Sequence, residues 1–152
     1  MKQVIYYGLV FCCAAFSAAA ATGRVIKVLP HFLDQQGRHT VSPSLFDRDA
    51  YQAVLRQHPE QRSGMRFDIE WRVKGTPDSD LKLRLEARGS ARGSVARTVV
   101  FETHVEPKGW FGQWTGLTLT GEDYKNLGEL TAWRATLWDG DHLLSEQQSF
   151  LW

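Results

Sequence analysis

The chain has 152 residues, of which 12% are aromatic and 23% charged, with two cysteines and a formal net charge of +1. Lys2 is the one charged residue before Thr22, so the rest of the chain is close to neutral and has no whole-body field to draw it to nucleic acid. Beyond Ala21 no stretch approaches the ~20 apolar residues that span a bilayer, so no transmembrane segment is expected there.

Lys2, the apolar run from Val4 to Ala15 and the small residues from Ser17 to Ala21 have the layout of a secretory signal peptide that ends in Ala19-Ala20-Ala21. Both cysteines, Cys12 and Cys13, lie inside it, and Phe11 before Cys12 is a poor context for lipidation. The expectation is therefore a signal peptide over residues 1–21 and one exported domain over 22–152, periplasmic or extracellular. Such a domain has no disulfide and no thiol chemistry, and it is large enough to bury a core without covalent staples.

In chain order, residues 24–29 read as a first strand that stops at Pro30. His31 to Asp34 and Arg38 to Val41 flank Gln35-Gln36-Gly37 as the arms of a small hairpin. Ser44 is an N-cap with Asp47 in the first turn, and His58-Pro59 is a stop, which predicts a helix over 44–57 within an insertion of about 42–60. Its apolar stripe is Phe46, Ala50, Tyr51, Val54 and Leu55, expected to face the domain. Residues 65–74 alternate apolar and charged throughout, from Met65 to Lys74, and 81–88 repeat the pattern from Leu81 to Arg88. A Gly/Ser-rich loop follows over 89–96, then strands over 97–106 and 113–120, the latter with Leu117 and Leu119 inward. Residues 121–128 read as a connection, 130–138 as a strand, Asp139-Gly140 as a tight turn and 143–151 as the closing strand. About seven short strands and no strand–helix alternation predict an all-β fold, an immunoglobulin-like antiparallel β-sandwich with the helix packed over one open end.

The stretch LGELTAWRATLWDGDHLLSEQQSFLW, residues 127–152, resembles bacterial immunoglobulin-like and fibronectin-III-like domains. In these the sixth strand leaves a Leu/Gly corner, here Leu127-Gly128, and carries an aromatic and a small residue inward, here Trp133 and Ala135. The cysteine pair of antibody domains is absent, and Tyr124 lies before the corner. The segment KVLPHFLDQQGRHTVSPSLFDRDAYQAVLRQ, residues 27–57, resembles part of an uncharacterised secreted bacterial family. The resemblance implies an architecture and no activity.

Three constellations stand out as candidate sites. Trp110, Phe111 and Trp114 cluster after Pro107-Lys108-Gly109, and exposed aromatics there can stack on sugar rings or anchor a protein. Arg84, Arg88, Arg92 and Arg97 run beside the loop and could meet an anionic polymer, although a neutral chain argues against a dedicated nucleic-acid binder. His31, Asp34 and His39 are the one grouping with metal-ligand residue types, with Asp34 expected to point away from the two histidines. Asp47 and Asp49 read as favourable charge near a helix start. There is no G-x-S-x-G, no H-E-x-x-H and no P-loop, so neither an enzyme nor a cofactor is expected. The reading is a non-catalytic exported binding domain for an envelope protein or polysaccharide. The alternatives are a metal-dependent enzyme using His31, Asp34 and His39, and a structural subunit docking through the apolar end Phe150-Leu151-Trp152.

Overall fold

The computed structural model describes residues 21–90, 96–109 and 111–152; residues 1–20 of the expected leader (1–21), Arg92 and Trp110 lie outside the described residues. In chain order the elements are β1 (Thr22–Asp34), α1 (Leu45–Gln57), a single 3-10 turn (Pro59–Gln61), β2 (Arg62–Lys74), β3 (Leu81–Ser90), β4 (Arg97–His104), β5 (Gln113–Thr120), α2 (Gly121–Leu127), β6 (Glu129–Asp139) and β7 (His142–Gln148). One sheet has the order β1-β2-β5 and the other β4-β3-β6-β7, with every pairing antiparallel. The described chain is therefore all-β, with two short helices.

Alternation in β2 and β3 decides which faces meet. Met65, Phe67, Ile69, Trp71 and Val73 are buried, and so are Leu81, Leu83, Leu85 and Ala87; both sets belong to one core with Leu119, Ala135 and Leu137. In the second sheet Leu83 pairs with Leu137 and Leu85 with Ala135. Each large apolar side chain withdrawn from water contributes ~1.5–3 kcal/mol, so these rows hold the two sheets to one core. Trp71 keeps its polar edge satisfied by donating its indole N–H to the Thr115 hydroxyl at 2.8 Å.

Pro30 does not end the first strand. Two residues on, the Phe32 N–H points away from β2, where a helix side chain takes it. Alternation puts the nitrogen of Pro30 on that same outer side, where its missing N–H costs no ladder bond. His31 to Leu33 therefore pair with Arg66 to Gly64 of β2 and are not the arm of a separate hairpin. A bulge at Ile26 resets the alternation, so that both Val25 and Val28 reach the core.

The helix is where the sequence predicts it, with the Ser44 hydroxyl accepting the Asp47 N–H at 3.4 Å. Its orientation is not. Leu55 is buried, but Phe46 is 81% and Val54 43% exposed, while polar Gln52 is only 6% exposed. The Gln52 amide accepts from the Phe32 N–H (2.8 Å) and donates to the carbonyls of Phe32 (2.9 Å) and His39 (2.8 Å). This side chain imitates a neighbouring strand, so α1 lies along the outer edge of β1 rather than over an open end. Fixing Gln52 there turns Phe46, Ala50 and Val54 to solvent. The buried Arg62 side chain closes the far end of α1 by donating to the Leu55 and Arg56 carbonyls, both at 2.5 Å. It also lies 3.9 Å above the Phe32 ring and pairs with Glu129 at 3.0 Å.

Two further elements differ from expectation. Residues 121–127 form a helix, not an open connection; Leu127 enters the core and Gly128 ends the helix at a positive φ of 73°. The closing strand stops at Gln148, because Ser149 turns back to exchange hydrogen bonds with the Trp133 backbone, donating its N–H at 2.8 Å and accepting on its hydroxyl at 3.0 Å. Among the described residues no helix is long and apolar enough to cross a membrane.

Candidate functional site

The β2–β5 register sets Trp114 opposite Glu70, Gly116 opposite Asp68 and Thr118 opposite Arg66. All six point away from the core, since the intervening Phe67, Ile69 and Leu119 are buried. Trp114, the second residue of β5, is 51% exposed although it is paired with β2. The residues two before and two after it on the same face are glycines. A Cβ at Gly112 would stand 2.7 Å from a Glu70 carboxylate oxygen, and one at Gly116 would stand 2.7 Å from the Arg66 guanidinium. The two long side chains of β2 thus lie over β5 on either side of the indole. Asp68 fixes the Arg66 guanidinium by accepting from its Nε at 2.7 Å.

Trp114 also stands between two hollows. One, of about 280 Å³, is lined by Leu29, His31, Arg48, Asp68 and Trp114. The other, of about 560 Å³, wraps the β5 edge and is lined by His104, Lys108, Gln113, Trp114 and Thr115 among others. Sequence reasoning found Trp114 and missed Arg66, Asp68, Glu70 and the two glycines. The signal was present as Gly-Gln-Trp-Thr-Gly, because a strand glycine marks a close approach by other groups.

Of the three metal-type residues, His31 and His39 lie together and Asp34 stands apart, as expected. His31 is buried at the rim of the smaller hollow, its ring 5.3 Å from that of His39 and its Nε2 3.7 Å from an Asp68 oxygen. Burial pushes the His31 pKa below the usual imidazole value; Asp68 opposes this, and His39, Arg48 and Arg66 add to it. Asp34 is elsewhere. Its carboxylate accepts from the backbone N–H groups of Gln36 and Arg38 (2.8 Å each), from Arg38 Nε (2.8 Å) and from the Tyr51 hydroxyl (2.6 Å). Burial alone would raise its pKa, but these donors outweigh it and hold the group at about 2. Its lone pairs are committed to holding the 34–38 turn against α1. Among the described residues no group of three or more His, Cys, Asp or Glu is placed to hold a metal ion.

Of the arginine run, Arg84 is tied into ion pairs, Arg88 and Arg97 are exposed, and Arg92 lies outside the described residues. Arg84 pairs with Glu86 (2.8 Å) and Glu102 (3.4 Å), and Lys82 also reaches Glu102 (3.7 Å). Burial pushes Glu86 up, yet its hydrogen bonds to Arg134 and Arg84 bring it below the ordinary carboxylate range. Arg88 stacks on the Trp152 ring, its guanidinium 3.6 Å from the ring centroid, with Arg134 at 4.7 Å. Asp47 accepts from the Ser42 hydroxyl at 2.7 Å and Asp49 pairs with Arg48 at 3.2 Å. Phe111 is 85% exposed, near the β5 start.

The chain matches no family model, no curated protein and no solved structure.

Proposed function

We propose that this chain is a non-catalytic, exported binding domain, built as an immunoglobulin-like β-sandwich, whose ligand sits on the outer face of β1-β2-β5 around Trp114. The sandwich reading is supported by the strand orders β1-β2-β5 and β4-β3-β6-β7 around one core. The fourth strand lies beside the third, whereas the constant-type immunoglobulin layout keeps that strand with the first, second and fifth, and this supports a fibronectin-III-like form of the reading. Export is inferred from the layout of residues 1–21. The observation that carries the binding reading is the half-exposed indole of Trp114, framed by charged side chains of both signs and shared by two hollows. A catalytic reading around His31, Asp34 and His39 lacks the assembled trio it needs, since Asp34 is bound to Arg38 and Tyr51.

The test is a crosslinking pull-down from envelope extract with tagged protein expressed from the full chain. A saturable partner, protein or sugar, that is lost on Trp114→Ala supports the reading. A partner retained by that variant moves the binding surface elsewhere. A structural subunit docking through its last residues is the second reading, favoured by Phe150 and Leu151, which are 101% and 70% exposed. Partner loss in Phe150→Ser plus Leu151→Ser, with Trp114 intact, would select it.

A further inference from the structure

We infer that the Trp114 face takes a pyranose ring of a glycan. The inference rests on the binding reading above and names the ligand class of the same site.

The indole is the aromatic plate of this face, and Leu29 lines the smaller hollow beside it. Around it the outer face of β1-β2-β5 is charged: Lys27, Arg66, Asp68, Glu70 and Arg72 all lie on it. A protein partner of ordinary size needs an apolar centre depleted of charge, and one indole ringed by ions does not supply it. A pyranose ring does fit. One face of it is a patch of C–H groups, which the electron-rich face of an aromatic ring attracts. Its rim carries hydroxyls, each able both to donate and to accept. The site offers one strong acceptor and one strong forked donor on opposite sides of the plate, the Glu70 carboxylate above Gly112 and the Arg66 guanidinium above Gly116. Among the described residues no cation forms an ion pair with Glu70, so its oxygens are open to hydroxyl donors. Arg66 is already oriented by Asp68, which leaves its remaining N–H groups to reach a ring oxygen or hydroxyl.

The glycines are the second, independent mark. Side chains at 112 and 116 would improve strand propensity but would evict Glu70 and Arg66 from the flanks of Trp114. The hollows on either side of the indole extend the surface beyond one ring, so adjoining sugars of a chain would reach His31 and Arg48 on one side and His104 and Lys108 on the other.

The experiment is calorimetric titration of the exported protein with β-1,4-linked glucose and N-acetylglucosamine oligomers, using wild type, Trp114→Ala, Glu70→Gln and Gly116→Ala. Thermal melts of each variant monitor the fold. Trp114 is half in solvent, and the Gly116 methyl would displace only the end of a flexible arginine, so both variants are expected to fold. Saturable binding is expected, weakened by roughly thirtyfold or more in Trp114→Ala, as for a central aromatic anchor. Glu70→Gln and Gly116→Ala should each weaken it by roughly tenfold through a lost charge-assisted hydrogen bond. Sugar binding unchanged in Trp114→Ala would overturn both the ligand class at this site and the site itself. No sugar bound, with an envelope protein whose capture is lost in Trp114→Ala, would overturn the glycan and leave the binding face standing. Neither sugar nor protein dependent on Trp114 would overturn both readings.

Discussion

Replacing Asp34 by Asn tests whether the turn between β1 and α1 is held by charge. The side chain is 5% exposed, and Asn keeps its size but offers one acceptor oxygen where the carboxylate accepts four hydrogen bonds. A fall from 3.8 to about 2 corresponds to at most about 2.5 kcal/mol, at ~1.36 kcal/mol per unit. Arg38 is 54% exposed, and solvent screens its share, which brings the expected loss in Asp34→Asn at neutral pH to about 1–2 kcal/mol. Because the folded-state value is depressed, the contribution is complete above the unfolded value of 3.8 and is lost as pH falls through about 2. Urea unfolding of both proteins at neutral pH and at several points below pH 4 reads this directly, through the midpoint at constant slope. The two stabilities should converge as the acid limit is approached. A gap of the same size at neutral pH and at the acid limit would show that Asn is paying for shape alone, and the electrostatic account of the turn would be wrong.

Gln52→Leu should cost ~1–3 kcal/mol by orphaning the Phe32 N–H and C=O, and should add concentration-dependent association through the uncovered β1 edge, read by light scattering. Leu55→Ala should cost ~2–5 kcal/mol in urea unfolding, whereas Phe46→Ala, on the same helix but 81% exposed, should stay within ~0.5 kcal/mol; equal losses would return Phe46 to a packed face. His31 is buried with its pKa lowered, so the stability it supports is complete above 6.5 and falls as pH drops below that value. His31→Gln should flatten that part of the stability–pH profile, and an unchanged profile would assign the dependence to another group.

What the sequence makes legible follows from the range of the physics involved. Strand alternation is set by adjacent residues, so Met65 to Lys74 and Leu81 to Arg88 can be read without knowing their partners. The Ser44 cap is equally local. The face α1 buries is not. The apolar stripe of Phe46, Ala50 and Val54 argues for one docking, and three hydrogen bonds from Gln52 to residues 13 and 20 positions away impose another. Pro30 misleads for the same reason, since whether a strand proline breaks the ladder depends on which edge faces a neighbour. Asp34 reads as a metal ligand by residue type, and only the fold shows that Tyr51, 17 positions on, holds the same carboxylate as Arg38.

The site divides along the same line. The outward register of Trp114 follows from Leu117 and Leu119 being inward, a local inference from period two. The glycines at 112 and 116 are visible in the sequence too, but what they make room for depends on a partner strand more than forty residues away. A register slip of one residue would turn Arg66 and Glu70 to the other face and leave the glycines beside core side chains. The spacing Gly-x-Trp-x-Gly is thus a local mark with a non-local cause: residues 112–116 give up two side chains so that β2 can place a carboxylate and a guanidinium on either side of an open indole. Fold stability does not require that exchange, because Gly weakens a strand, and this is why the arrangement points to a ligand.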